Sequence, residues 1–343
     1  MRSSILIIYT GGTIGMKTDV ETGALVPFDF SAIYEEFPSL KRLNVDLEVQ
    51  TMSPVIDSSN VSPEHWVTLA ELIRSQYDRY DGFVVLHGTD TMSYTASALS
   101  FMFENLAKPV IFTGSQIPIG VLRTDGRENL ITAIEIAGAR DAEGRPEVPE
   151  VALYFQNHLF RANRTTKRSA EALSAFYSYN YPPLADVGVN ITYHRNLILR
   201  PERYDEPLRV ATRLSSELCV VKLFPGINEP ILRAVLAAPG LKAVILETYG
   251  AGNAPTADWF IAPLREAIDR GVVVLNITQC KGGCVAMELY ETGLRLQQAG
   301  VVSGYDMSTE AAVTKLMYLL GQSLPYETLK EALERPLRGE ITR

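Results

Sequence analysis

The chain has 343 residues, room for two domains with a core each, and its 46% apolar and 21% charged residues are ordinary for a globular protein. A net charge of −8 excludes a general nucleic-acid or anionic-membrane binder, and no apolar run approaches the ~20 residues of a membrane span. Three cysteines make no disulfide framework, and Cys280-Lys-Gly-Gly-Cys284 has the wrong spacing for a zinc ribbon, so a reducing cytoplasm is the expected compartment.

In chain order, short β-branched runs alternate with helical patterns. Ile5–Tyr9 reads as the first strand rather than as a signal peptide. Further strands are predicted at Leu47–Met52, Phe83–Leu86, Val110–Thr113 and Val151–Phe155, then at Cys219–Phe224, Ala243–Leu246 and Val272–Ile277. Ser62-Pro63-Glu64 opens a helix with serine at the N-cap and proline at the first helical position; Trp66, Leu69, Ile73 and Tyr77 then mark one apolar face. Leu130, Ile131, Ile134 and Ala137 mark a second helix. Continuous apolar strands separated by helices predict a mainly parallel sheet covered on both faces. The alternation lapses between about Asp186 and Pro207, which reads as the connection between a larger N-terminal α/β domain (1–188) and a smaller C-terminal one (213–343), with 189–212 as linker.

The loops after the N-terminal strands carry the chemistry. The first strand runs into Thr10-Gly-Gly-Thr13, the second into Asp57-Ser58-Ser59, the third into His87-Gly-Thr89-Asp90-Thr91 and the fourth into Thr113-Gly-Ser115-Gln116. Such loops gather at the carboxyl ends of parallel strands, so four of them, rich in hydroxyls and carboxylates, describe one polar pocket.

Several chemistries fail on spacing. Gly11-Gly12-Thr13-Ile14-Gly15 is not a dinucleotide fingerprint, and no Gly-Lys-Ser/Thr completes a phosphate loop. No G-x-S-x-G elbow is present, and His65, His87, His158 and His194 form no helical pair for a metal; no metal or cofactor is expected. His87, at a strand end, reads as a hydrogen-bonding structural residue. A threonine hydroxyl remains as nucleophile, and a lysine in a dry, polar-lined site can serve it as base. Lys167, after the fifth strand, can reach the pocket, although spacing alone favours a solvated loop lysine.

The stretches TGGTIG (10–15), DSS (57–59), HGTDTM (87–92), GSQIP (114–118), RTTK (164–167) and YGAGNAP (249–255) together resemble the type I, cytosolic bacterial L-asparaginases, in that family's order. The resemblance implies a flavodoxin-like N-terminal and a Rossmann-like C-terminal domain, and hydrolysis of L-asparagine to aspartate and ammonia. It implies Thr13 as nucleophile and Thr89, Asp90 and Lys167 as a proton-relaying group. Gly12, Asp57, Ser58, Ser59, Thr89, Asp90, Ser115 and Gln116 would line the substrate, and Asn253 would come from a neighbouring subunit of a dimer or dimer of dimers.

Two departures stand out. Many relatives, particularly periplasmic ones, carry a tyrosine in the mobile loop after the first strand that bonds the nucleophile, and Met16–Pro27 has none. Some type I enzymes bind a second asparagine through an arginine, with a threonine and a cysteine nearby. Thr166 and Cys280 match that effector site, but Glu247 replaces the arginine, so cooperativity is expected to be weak or absent. Rival readings are a glutaminase-asparaginase, a subunit of a tRNA-dependent amidotransferase, which the early Tyr9-Thr-Gly-Gly disfavours, and a non-catalytic amino-acid sensor.

Overall fold

The computed structural model describes residues 2–18, 25–27, 37–289 and 291–342. The chain divides into two compact units, Met1–Thr212 and Arg213–Arg343.

The first unit is built on an eight-stranded sheet. Its strands are β1 (Ser3–Tyr9), β2 (Val45–Thr51), β3 (Gly82–Leu86), β4 (Val110–Thr113), β5 (Val151–Phe155), β6 (His158–Arg161), β7 (Ala185–Val187) and β8 (Ile191–Tyr193). The order is β8-β7-β6-β5-β4-β3-β1-β2. Strands β1 to β5 pair in parallel, in the 2-1-3-4-5 order of flavodoxin-like sheets, and β6 to β8 extend the sheet antiparallel. Residues 186–193, read from sequence as the start of the connection, thus form the outermost hairpin of the sheet.

The helices are α1 (Pro63–Gln76), α2 (Met92–Met102) and α3 (Gly126–Gly138). Leu130, Ala133, Ile134 and Ala137 of α3 are fully buried against Ile5, Ile7, Val84 and Ile111, one face of the sheet. By strand alternation Leu6, Ile8, Val85 and Phe112 face the other way and are equally buried, so both faces are covered. Each such side chain contributes about 1.5–3 kcal/mol relative to exposure. Helix α2 (MSYTASALSFM) is apolar and small on almost every side, and all of it but Tyr94 is buried; lacking an amphipathic stripe, it gives no helical periodicity to read. Strand β2 alternates buried or half-buried residues with exposed ones instead, as an edge strand with one solvated face does.

Register decides where the loops emerge. Tyr9 pairs with Thr51 on one side and Leu86 on the other, and Leu86 pairs with Thr113. The last residues of four parallel strands therefore stand in one row, and their loops leave the sheet side by side. The crossover order reverses between β1 and β3, the place where open sheets of this kind bind ligands.

The second unit has a four-stranded parallel sheet of β9 (Leu218–Lys222), β10 (Ala243–Thr248), β11 (Val273–Thr278) and β12 (Val302–Ser303), in that order. Helices α4 (Glu229–Leu236), α5 (Asp258–Asp269), α6 (Glu291–Gln298), α7 (Thr309–Gly321) and α8 (Tyr326–Glu334) accompany it. Leu232, Leu236, Phe260, Leu264 and Leu296 pack on Val244, Leu246 and Val274 to form its core. Among the described residues no helix is long and apolar enough to cross a membrane.

Candidate active site

Strand β1 ends at Tyr9, and the chain turns through Thr10-Gly11-Gly12 into a single 3-10 turn, Thr13–Gly15. Both glycines are needed. Gly11 and Gly12 sit at φ +133° and +92°, and a Cβ would lie 2.1 Å from the Ile56 carbonyl oxygen or 2.4 Å from Gly88 Cα. The loops after β1, β2 and β3 thus meet backbone to backbone.

Thr13 is presented exposed at this junction. The buried Tyr9 ring lies beneath the turn, where a Cβ on Gly15 would be 2.1 Å from it, and its hydroxyl donates to Gly12 O at 3.3 Å. Burial pushes the phenol up from its ordinary value, so it stays a donor. The peptide preceding Thr13 is therefore braced from the strand side. Residues 19–24, in the loop that lacks the family's tyrosine, lie outside the described residues.

The loop after β2 is organised by Asp57, which caps the short turn Ser58–Asn60 by accepting from Ser59 N at 2.9 Å and Ser59 Oγ at 3.0 Å. These bonds hold the Asp57 carboxyl below the usual carboxylate range. Asp57 and Ser59 are exposed; Ser58 is buried, its carbonyl accepts from Thr91 Oγ1 at 2.7 Å, and a Cβ on Gly88 would lie 2.5 Å from its hydroxyl. Thr91 thus ties the second loop to the third, a role that its place in HGTDTM did not reveal.

Lys167 reaches the pocket because the segment before it is buried. The Arg161 guanidinium bonds Glu150 at 2.8 Å and lies over the Tyr181 ring at 4.4 Å, and Thr165 Oγ1 donates to Arg161 O at 2.7 Å. Thr166 and Lys167 then pair antiparallel with Tyr177 and Phe176. Lys167 Nζ lies 2.9 Å from Thr89 Oγ1 and 2.6 Å from Asp90 Oδ1, with the lysine side chain 19% exposed and that of Asp90 63%. This is an engaged lysine, not the solvated one that spacing favours.

Thr89 Oγ1 also donates to Gln116 Oε1 at 3.2 Å. Next to Gln116, the Ser115 hydroxyl is buried without a hydrogen-bond partner among the described residues, which marks spare capacity at the pocket wall.

His87 has the structural role expected of it. Its Nδ1–H donates to Gly88 O at 2.7 Å, while Nε2 accepts from Thr95 Oγ1 at 3.0 Å, which in turn accepts from Trp66 Nε1 at 3.1 Å. This run of hydrogen bonds uses the neutral imidazole, and burial pushes His87 down to about 4.

In the second unit, Asn253 closes the loop Tyr249–Asn253. Its Oδ1 accepts from Thr292 Oγ1 at 2.5 Å, leaving the side-chain N–H groups without a partner among the described residues. Glu247 Oε1 accepts from Thr309 Oγ1 at 2.6 Å, and its Oε2 lies 3.6 Å from Lys222 Nζ. Cys280 is exposed in the same unit, whereas Thr166 belongs to the first and is buried. Among the described residues no His, Cys, Asp and Glu group could hold a metal ion.

Hydroxyls, a lysine and carboxylates gathered at the switch point of a flavodoxin-like sheet are equipment for moving protons around a small polar substrate. Family models agree with that class: the N-terminal asparaginase model matches residues 4–199, and the glutaminase/asparaginase C-terminal domain model matches 217–333. The chain is 46% identical to L-asparaginase 1 of Escherichia coli strain K12, over 99% of this chain and 98% of that one. It is 43% identical to the 60 kDa lysophospholipase of Homo sapiens, over 98% of this chain and 61% of that protein. The crystal structure of L-asparaginase I from Vibrio cholerae superposes with a TM-score of 0.91 at 44% identity, over 100% of both chains. The chain belongs to the asparaginase/glutaminase family.

Proposed function

We propose that this protein is an L-asparaginase that hydrolyses asparagine through a threonine ester. The observation that carries the reading is Lys167 Nζ within hydrogen-bond distance of both Thr89 Oγ1 and Asp90 Oδ1, in the pocket where Thr13 is exposed. Thr13 Oγ attacks the side-chain amide carbon, its proton passing to the Thr89–Lys167 side. The tetrahedral oxyanion is met by backbone N–H groups of the Gly88-Thr89 turn. The C–N bond breaks, ammonia leaves with a proton, and a β-aspartyl ester remains on Thr13. Water activated by Thr89–Lys167 then cleaves the ester to aspartate and restores the Thr13 hydroxyl.

The substrate's zwitterion matches the rest of the pocket. A carboxylate from Asp57 or Asp90 meets the α-ammonium, while the Ser58 and Ser59 hydroxyls and nearby backbone N–H groups meet the α-carboxylate. Asn253 completes a neighbouring copy's site in a cytoplasmic homo-oligomer, a dimer or dimer of dimers. Its side-chain donors, unpaired among the described residues, support that assignment.

Ammonia release from asparagine and from glutamine tests the reading. Thr13→Ala should lower turnover by about 10³-fold or more and Lys167→Met by about 10²-fold or more; undiminished activity in either would overturn the mechanism. Glutamine is longer by one methylene, worth about 1–3 kcal/mol in a close-fitting pocket, so the glutamine rate measures how closely this one fits. Glu247 is engaged by Thr309 and Lys222, and a carboxylate does not pair with an effector's α-carboxylate. Rate curves in asparagine should show weak or no cooperativity; a clearly sigmoidal curve lost in Thr166→Ala would contradict this.

A further inference from the structure

Gln116 lies in the turn after β4, and its side-chain amide makes three contacts. Nε2 donates to Ala170 O at 3.1 Å and to Ala172 O at 3.3 Å, while Oε1 faces Thr89 Oγ1 at 3.2 Å. Carbonyl oxygens only accept, so the two of them decide which end of the amide is nitrogen. The end facing Thr89 is therefore an oxygen, itself only an acceptor, and it takes the single hydroxyl proton of Thr89. Only lone pairs of Thr89 Oγ1 are left for Lys167 Nζ at 2.9 Å. In this arrangement Lys167 donates to Thr89, as it does to Asp90 Oδ1. Thr89 cannot pass its proton to Lys167 while Gln116 holds it.

Gln116 is itself held firmly. Its backbone N–H is shared between the two Asp125 carboxylate oxygens, at 3.1 and 3.0 Å, and Ile117 N donates to Asp125 Oδ1 at 3.0 Å. Asn129 Nδ2 donates both to Asp125 Oδ2 at 3.2 Å and to Gly114 O at 2.9 Å. Asp125 and Asn129 are 4% and 1% exposed. A buried carboxylate with this many N–H partners is a rigid anchor for the turn above it.

We propose that Gln116 is a positioning residue that sets the direction of proton transfer in the Thr89–Lys167 pair. It holds the Thr89 proton away from Lys167 in the resting site and releases it when the hydroxyl rotates toward a deprotonated lysine, with Asp125 and Asn129 as the anchor. The inference rests on the reading that Thr89 and Lys167 act in the hydrolysis.

Three variants test it: Gln116→Met, which keeps the length and removes both hydrogen-bonding ends; Gln116→Glu, which keeps an acceptor toward Thr89 and adds charge; and Lys167→Met. Each is assayed for asparagine turnover across the pH range and for thermal unfolding. Gln116→Met should lower kcat by about five- to tenfold, the worth of one hydrogen bond, with KM within about twofold. Its acid limb of kcat/KM should move to lower pH, because a Thr89 hydroxyl free to donate favours the deprotonated lysine. Gln116→Glu should move that limb to higher pH, because added negative charge favours the protonated lysine. Acid limbs that superpose on the parent's in both variants, with unfolding temperatures unchanged, overturn the role of Gln116. Full activity in Lys167→Met instead overturns the underlying reading of the Thr89–Lys167 pair.

Discussion

The carboxyl ends of the two parallel sheets both carry threonines, amides and carboxylates, and they use them in opposite ways. In the second unit the network is closed except at Asn253. Thr248 Oγ1 donates to Asn276 Oδ1 at 2.7 Å, Asn276 Nδ2 donates to Gly252 O at 3.2 Å, and Thr278 Oγ1 donates to Gly250 O at 2.6 Å. Gln279 Nε2 donates to the carbonyls of Leu223 and Glu247, at 2.6 and 2.7 Å. These groups spend their capacity on shaping the Tyr249–Asn253 loop. In the first unit capacity is left over: Thr13 is exposed, the buried Ser115 hydroxyl has no partner among the described residues, and the Asp90 side chain beside Lys167 is 63% exposed. A polar strand end becomes a reactive site through what its neighbours leave unsatisfied, not through residue type.

The sharpest way to break this comparison is to exchange threonine for a silent residue at each sheet. Thr13→Ala should abolish nearly all ammonia release, a loss of about 10³-fold or more, with the unfolding temperature unchanged. An equal loss of turnover from Thr248→Val, made in the closed network, would erase the distinction.

A change in the second unit should instead register as stability. Lys315 Nζ lies 2.6 Å from Glu340 Oε1, both side chains fully buried, and also donates to the Leu333 and Arg335 carbonyls. Lys315→Met would strand a buried carboxylate, so denaturant unfolding should show a loss of about 3–5 kcal/mol. A loss under about 1 kcal/mol would show that Glu340, which also accepts from Leu337 N and Arg338 N, is not left as an uncompensated buried charge.

In the first unit the framework beneath the strand-end loops should show in the pH dependence of stability. His87 stays neutral when folded until about pH 4, against an ordinary value of 6.5. Between those values the unfolded chain takes up a proton that the folded chain refuses. Stability is therefore full above 6.5 and falls as the pH drops toward 4, by about 3 kcal/mol from this group. Urea unfolding of the parent and of His87→Gln checks this; the variant should show a flatter profile across that window.

The smallest effect expected is the stability cost of Thr248→Val, about 1–3 kcal/mol for leaving Asn276 Oδ1 unpaired, seen in the same unfolding measurement. It sharpens the contrast by showing that the closed network braces the loop without serving turnover.

Much of the fold was legible because its signals are local. Continuous apolar runs at Ile5–Ile8 and Phe83–Leu86 announce strands buried on both faces, and Ser62-Pro63 announces a helix start. Helix α2 escaped because burial on all sides erases the periodic stripe, and the hairpin of β7 and β8 escaped because a short polar edge strand resembles a loop. Of the site, TGGTIG and HGTDTM could be read directly. Tyr9 could not, since within a strand it looks like any other apolar residue, and nothing in the spacing of Asp125 or Asn129 says that they hold the turn carrying Gln116.

What the amino-acid order determined by itself is the set of strands, the loop after each, and hence which hydroxyls, carboxylates and amides share one end of a parallel sheet. Tertiary structure alone decided which of those groups are spent and which remain available. Hydrogen-bond satisfaction depends on partners far apart in the chain: Lys167 meets Thr89 across 78 positions, and Gln116 meets the Ala172 carbonyl across 56. Local sequence sets a group's chemistry, but its direction of donation is fixed by whichever acceptor the fold brings to it.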